Sequence, residues 1–301
     1  MKIVIAGGSG LIGRKLTRVL LEQGHHVAWL SRSKQAKVEN VVVYHWDPDR
    51  KELATEAFKD CAVFINLSGE SIADKNWTLE RKKTILESRT KPQNFLEKAF
   101  SAINFSGTLH IAASAIGYYG AQSSDTVFEE SSAPMNDFMG QTCLAWEQAS
   151  ASLFPYFKRN VVLRIGVVLS KQGGALKKMQ IPFQFGLGAA FGSGKQQMPW
   201  IHEADLIGII CKAIAEEKYN GVYNAVAPNP VSNLQFSASL AKVLGRPFFL
   251  PPLPSAFLRL IMGEMAVIVL EGSKVSSEKI KREGYQFQFP ELIPALKNIY
   301  G

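Results

Sequence analysis

Residues 1–16 read Met1-Lys-Ile-Val-Ile-Ala-Gly7-Gly8-Ser9-Gly10-Leu11-Ile12-Gly13-Arg14-Lys15-Leu16. This is a short apolar run, a glycine-rich turn and the opening of an amphipathic segment. Ile3 to Ala6 read as a buried strand. Gly7 permits a tight turn, Gly10 lets backbone approach a pyrophosphate, and Gly13 lets the following helix pack closely on the strand. The helix N-terminus then presents free N–H groups and the positive end of its dipole to the phosphates. The spacing is Gly-x-x-Gly-x-x-Gly rather than Gly-x-Gly-x-x-Gly. It lies between a strand and a helix, which is the context this device requires. The expectation is a dinucleotide site whose loop is Gly7, Gly10, Leu11, Ile12 and Gly13.

Outward from the loop, apolar runs alternate with helical patterns. A helix over Leu11–Gln23 stops at Gly24. Strands follow at Val27–Leu30, Val41–Tyr44 and Val63–Leu67, then a long helix over roughly Thr78 to Ala102. Leu109–Ala113, a helix near Phe138–Leu153, and a strand over Val161–Leu169 complete the first half. Such alternation predicts an α/β fold, a doubly wound parallel sheet of Rossmann type with ligands at the carboxyl ends of its strands. After Ser170 glycines and prolines loosen the pattern, although Val222–Ala225 reads as one more strand. The predicted organisation is a nucleotide-binding domain over 1–170, taking sheet contributions from about 195–228. A smaller C-terminal α/β lobe over 171–301 covers the substrate side.

The bulk composition narrows the function classes. The chain has 301 residues, 47% of them hydrophobic, which suffices for a large core. Cys61, Cys143 and Cys211 show no C-x-x-C spacing, so neither a disulfide framework nor a zinc site is predicted, and no histidine pair has helical metal-ligand spacing. Residues 1–6 enter a strand with no basic-then-apolar leader, and Ala256 to Leu270 is broken by Arg259, Gly263 and Glu264. The expectation is a cytoplasmic protein with neither a signal peptide nor a membrane span. The formal net charge is +8. The basic residues are scattered in pairs without aromatic interleaving, so nucleic acid is not predicted as a partner, and the charge suits an anionic dinucleotide.

The second strand decides which dinucleotide. A carboxylate at its end accepts from the ribose 2′-hydroxyl and repels a 2′-phosphate. Here His26-Val-Ala-Trp-Leu30 ends in Ser31-Arg32-Ser33-Lys34, with a guanidinium able to form a two-pronged phosphate contact and no acid. The predicted cofactor is NADP(H), held by Ser31 and Arg32, with Lys34 adding charge.

With these motifs the chain resembles the extended short-chain dehydrogenases/reductases along nearly its whole length. Asn66-Leu67-Ser68-Gly69 resembles the segment against the adenine ribose and phosphates. Ser114-Ala-Ile-Gly-Tyr-Tyr119-Gly120 resembles the stretch that carries the hydroxyl catalyst. Pro199-Trp-Ile-His202-Glu-Ala-Asp205 and Gly221-Val-Tyr-Asn224 resemble later family segments. Glu87-Ser-Arg89, Trp146-Glu147, Gly186-Leu-Gly188 with Gly192-Ser-Gly194, and Leu270-Glu-Gly272 are similar to an atypical epimerase-like branch. Its members carry a C-terminal domain of unknown function, here about 248–298, and several are labelled nucleoside-diphosphate-sugar epimerases. The resemblance implies cofactor contacts at Ser31, Arg32, Leu67, Ser68, Gly69 and Arg89, and places Val167 near the nicotinamide.

The departure from the family concerns proton transfer. The family uses Tyr-x-x-x-Lys, in which the lysine lowers the tyrosine pKa. Alignment on Glu147 sets Met139 at the tyrosine and Cys143 at the lysine, and neither can do that work. The substitute set proposed from sequence is Ser114, Tyr118 and Tyr119. Two readings stay open: an NADP(H)-dependent oxidoreductase or sugar-nucleotide epimerase with a substitute acid, or a non-catalytic NADP(H)-binding regulatory protein.

Other residues carry weaker expectations. Glu129 and Glu130 read as solvated charges. His202 reads as structural, with Asp205 capping or orienting the next helix. Trp77, Trp200 and Phe191 read as core with a pocket role as the alternative. Lys195-Gln-Gln-Met198 is a candidate contact for an anionic substrate such as a sugar nucleotide. Leu258, Ile261, Met262 and Met265 fall at helical spacing and are expected inside the lobe.

Overall fold

Strand-forming runs with apolar side chains on both faces build the centre of the molecule. In the computed structural model, which describes residues 1–33, 38–122 and 126–301, β1 (Lys2–Ala6) is followed by α1 (Leu11–Glu22) and β2 (His26–Ser31). Then come β3 (Val41–Asp47), β4 (Glu52–Leu53), β5 (Cys61–Asn66), α2 (Leu79–Ala102) and β6 (Gly107–Ala115). β7 (Val127–Phe128), α3 (Phe138–Ala151), β8 (Phe157–Ile165) and β9 (Val167–Leu169) follow. The later part holds α4 (Gly174–Gln184), β10 (Trp200–His202), α5 (Glu203–Ala215), β11 (Gly221–Ala225) and α6 (Asn233–Val243). It closes with α7 (Ser255–Met262), α8 (Val267–Leu270), β12 (Lys274–Val275), α9 (Glu278–Arg282) and α10 (Leu292–Tyr300).

The main sheet runs β11-β8-β6-β5-β1-β2-β3-β4, parallel except for β4. Order reverses between β1 and β5, so the crevice beyond their carboxyl ends is the topological switch point. Alternation sends Ile3 and Ile5 to a layer with Leu16, Leu206 and Ile210, and Val4 and Ala6 to a layer with Leu96 and Phe100. Both faces are therefore covered, as a parallel sheet requires. β11 comes from beyond residue 170, yet it completes this sheet beside β8.

Two sequence expectations are corrected. The strand expected over Val161–Leu169 splits at Gly166, whose N–H donates to Ala225, while Val167 N–H donates to Pro199. β9 thus leaves the main sheet and pairs with β10. The apolar ridge 257–270 is not one internal helix. It breaks at Gly263 into α7 and α8; Leu258 and Met265 are buried, but Leu260 is 83% and Ile261 57% exposed.

The C-terminal segment is locked to α5 through Asp205. That carboxylate is fully buried and accepts from Tyr285 Oη at 3.0 Å, Gln288 N–H at 2.7 Å and Phe289 N–H at 3.0 Å. Asp205 does not cap α5: His202 does, its Nδ1 accepting from Ala204 N–H at 3.1 Å. Among the described residues no helix is long and apolar enough to cross a membrane.

Candidate active site

The glycine loop sits at the switch point. Gly7 has φ +80°, and a Cβ there would stand 2.8 Å from the Leu67 carbonyl carbon, so β1 and the segment after β5 touch backbone to backbone. Leu67 N–H donates to Ala6, closing the contact. At Gly13 a Cβ would overlap the Gly7 carbonyl, so α1 rises directly from the turn. Gly10 caps α1 without a side-chain bond. The first-turn N–H groups of α1, which have no partner within the helix, therefore remain for an anionic ligand.

The cleft that opens from this loop encloses about 470 Å³. Gly7, Ser9 and Gly10 line it, together with Ser31 and Arg32 from the end of β2 and Leu67, Ser68 and Gly69 from the end of β5. Ser31 Oγ accepts from Ser33 N–H at 3.1 Å, which shapes the turn that exposes Arg32. Lys34 lies outside the described residues. The glycine cradle, the bare helix start and the exposed guanidinium fit a phosphorylated dinucleotide.

Arg89 comes from α2 and reaches the rim of this cleft beside Gly69. Its guanidinium donates to Ile85 O at 2.9 Å and Glu70 O at 3.0 Å, and lies 4.9 Å from the Trp146 ring centre. Burial lowers its pKa. Leu11 packs where β9 leads into α4, its Cδ1 3.3 Å from the Cβ position of Gly173, so the strand of Val167 runs past the start of α1. Sequence reasoning missed Trp46, Pro48, Asp49 and Lys91, which also line the cleft. β3 and α2 bring them in, and no local motif marks them.

Ser114, Tyr118 and Tyr119 gather around a different centre. Ser114, Arg164 and Asn224 are lateral register partners on β6, β8 and β11, each one residue before its strand ends. Arg164 is buried and donates to both oxygens of Glu147, Nε to Oε1 at 2.8 Å and Nη2 to Oε2 at 2.9 Å. It also donates to Tyr119 Oη at 2.9 Å and Glu130 O at 3.1 Å, and its Cζ lies 3.4 Å from the Tyr118 ring centre. Ser114 Oγ donates to Glu147 Oε1 at 2.6 Å, and Tyr119 Oη to Asn224 Oδ1 at 2.7 Å. Burial opposes the Arg164 charge, but the bonds and charge of Glu147 outweigh it and raise the pKa. Burial also pushes Tyr119 up to about 12, against the pull of Arg164.

The catalytic expectations change accordingly. Ser114 and Tyr119 have their hydroxyls committed to this buried network, and none of the three residues lines the cleft of the glycine loop. Tyr118 Oη is outside the network's hydrogen bonds. Glu130 is not a solvated charge: its carboxylate accepts from Asn224 N–H at 2.8 Å. Met139 and Cys143 sit on α3 facing Gly117, with Met139 Cε 3.0 Å and Cys143 Sγ 3.4 Å from its Cβ position. Burial raises the Cys143 thiol to about 12, so it is neutral. Residues 138–151 of α3 contain neither tyrosine nor lysine.

A second cavity, of about 540 Å³, lies between the start of α3, α2 and the α7–α8 segment. Trp77, which packs edge-on against Phe138, lines it with Met139. Trp200 is core, and Lys195 is exposed and lines neither cavity.

A glycine loop at the switch point of a doubly wound sheet defines a nucleotide-binding protein of Rossmann type. Residues 3–225 match the model of the NAD dependent epimerase/dehydratase family, and the chain belongs to that family. Residues 253–299 match a domain of unknown function, DUF1731. The chain is 36% identical to the mouse epimerase family protein SDR39U1, with 99% of each chain covered. It is 33% identical to the epimerase family protein YfhF of Bacillus subtilis, over 99% of this chain and 98% of that one. Among solved structures it is similar to human SDR39U1 crystallised with NADPH, at TM-score 0.86 and 34% identity over 99% of both chains. A UDP-glucuronic acid 4-epimerase from Bacillus cereus shares the fold at TM-score 0.80 and 17% identity, over 100% of this chain and 98% of that one.

Proposed function

We propose that the chain is an NADP(H)-dependent oxidoreductase of the epimerase type. The observation that carries this reading is the cleft in which the glycine loop faces Leu67 and Ser68 while Arg32 stands exposed at the end of β2. Gly7, Gly10, Leu11, Ile12 and Gly13 hold the pyrophosphate. Ser31 and Arg32 hold the 2′-phosphate, and Leu67, Ser68 and Gly69 flank the adenosine half. Arg89 stands beside Gly69 at the cleft rim, and Val167 borders the nicotinamide half. The NADPH in the human SDR39U1 crystal supports the choice of phosphorylated cofactor.

The dinucleotide, when bound, supplies or accepts hydride at a carbonyl or carbinol carbon. The chain's own task is to orient it, exclude water and exchange a proton with the substrate oxygen. Tyr118 is the proposed donor, because the hydroxyls of Ser114 and Tyr119 are already bonded and Cys143 cannot supply a lysine's charge. A cytoplasmic, reducing setting suits the three free thiols.

A second reading, a regulatory NADP(H)-binding protein without turnover, draws on the absence of tyrosine and lysine from α3. One assay separates them. NADPH oxidation is followed by absorbance against a panel of aldehydes and ketones, and sugar nucleotides are assayed for the epimerised product, with Tyr118→Phe beside the native chain. Turnover that Tyr118→Phe lowers supports the enzyme. Tight NADPH binding with no turnover on any substrate supports the regulatory reading.

A further inference from the structure

Cys143, at the position where the extended short-chain dehydrogenases/reductases carry lysine, is a buried neutral thiol. In that family the lysine holds the nicotinamide ribose and supplies a positive charge to the tyrosine. The face of α3 that bears Cys143 nevertheless meets a cation from another helix. Met139, Cys143 and Trp146 stand at i, i+4 and i+7 of α3, so they share one face. Met139 and Cys143 meet Gly117, while the Trp146 ring centre lies 4.9 Å from Cζ of Arg89.

Arg89 comes from α2, which packs against α3. The same guanidinium stands over Gly69 at the rim of the dinucleotide cleft, its Cζ 3.5 Å and Nη2 3.6 Å from the Cβ position there. It thus links the segment after β5 to the face of α3 that bears Cys143. The two groups interact: the charge of Arg89 pulls the thiol pKa down, against the larger upward push of burial.

The anchoring of Arg89 leaves donors unused. Nη1 donates to Ile85 O at 2.9 Å and to Ser88 Oγ at 3.4 Å, and Nη2 donates to Glu70 O at 3.0 Å. A guanidinium carries five N–H groups, so Nε–H and one N–H of Nη2 are left over. The partners are two carbonyls and a hydroxyl, so they fix the planar group without neutralising its charge. Arg164, the other arginine that acts on Cys143, has Nε, Nη1 and Nη2 all committed to Glu147, Tyr119 and Glu130 O.

We propose that Arg89 supplies from α2 the cation that α3 lacks at position 143, and donates to the ribose hydroxyls on the nicotinamide side of a bound dinucleotide. The proposal rests on the dinucleotide reading of the cleft and gives that site a further positioning residue. Arg89 orients the nicotinamide half, while Ser31 and Arg32 hold the adenosine half.

The test is calorimetric titration of the full-length protein with NADPH, NADP+ and adenosine 2′,5′-bisphosphate, which carries the 2′-phosphate but no second ribose. Arg89→Met is expected to weaken NADPH and NADP+ by at least about tenfold, the worth of one charge-assisted hydrogen bond, and to leave the bisphosphate within about twofold. Arg89→Lys, and Arg89→Met combined with Cys143→Lys, are each expected to recover most of the loss, because either restores a cation beside the same face. Equal weakening of all three ligands by Arg89→Met would overturn the proposal and make Arg89 merely structural. Native affinity of Arg89→Met for all three would overturn it as well, with the dinucleotide reading intact. A native chain that binds none of the three would sink the dinucleotide reading and the proposal together.

Discussion

Arg164 and Glu147 form a two-pronged ion pair, at 2.8 and 2.9 Å, buried beneath the carboxyl ends of β6, β8 and β11. The arginine also fixes Tyr119, and the glutamate also fixes Ser114. In this chain two of the three hydroxyls that sequence nominated for catalysis, those of Ser114 and Tyr119, thus serve the pair that joins α3 to the sheet. Removing one charge leaves the other buried and uncompensated, which costs roughly 3–5 kcal/mol. Glu147→Gln is expected to lose that much in urea unfolding, and Glu147→Leu with Arg164→Met to recover part of it. A loss below about 1 kcal/mol, the worth of an exposed pair, would show that the network is not structural.

Gly13 is a tight point of the nucleotide loop, closed by backbone. A methyl there overlaps the Gly7 carbonyl, so α1 must move away from β1. Gly13→Ala is expected to weaken NADPH by at least about tenfold, since about 1.4 kcal/mol of lost contact suffices. Its circular dichroism should stay native. Fluorescence titration with NADPH reads this, and unchanged affinity would remove the loop from the site.

Asp205 holds the C-terminal segment by three accepted hydrogen bonds. Asp205→Asn turns an amide donor toward backbone donors, at about 1–3 kcal/mol for each group left unpaired. Hydrogen exchange should then quicken over residues 285–301 more than over the strands around Gly7. Uniform protection across both regions would contradict the latch.

Alkaline pH should unfold the protein through its buried thiols. Burial raises Cys61 and Cys143 from 9.0 to about 12. A group whose folded pKa lies above its unfolded one binds its proton more tightly when folded. Its contribution is complete below the unfolded value and is lost as pH rises through the folded one. The melting temperature should therefore fall from about pH 9 toward 12. Cys61→Ala with Cys143→Ala should flatten that fall. An equal slope in the double variant would reject the assignment.

The nucleotide half was readable because its information is local. Strand, three glycines, helix start and a strand end without a carboxylate lie within residues 3–32, and backbone geometry follows from them directly. The wall contributed by Trp46, Asp49 and Lys91 was not readable, because β3 and α2 converge on the cleft from separate parts of the chain. The network of Ser114, Tyr119, Glu130, Glu147, Arg164 and Asn224 was hidden for the same reason. Its members meet through strand register and a helix crossing, while alone Ser114 and Tyr119 read as catalysts and Glu130 as a surface charge. Asp205 was expected to cap or orient the next helix, and its role as a latch was not readable because the partners it binds lie 80 or more residues further along.

The cleft fits a 2′-phosphorylated dinucleotide. The most direct test is calorimetric and thermal-shift titration with NADPH, NADP+, NADH and NAD+, on the native chain and on Arg32→Ala. A ligand that binds only the folded state adds about 2.7 kcal/mol of stability at a hundred times its Kd. Strong shifts are expected with NADPH and NADP+ and weak ones with NADH and NAD+. Arg32→Ala should weaken the phosphorylated pair by about 10–100-fold, the worth of a charge-assisted contact, and leave the others unchanged. Equal affinity for NADH and NADPH, or no binding of any of the four, would contradict it.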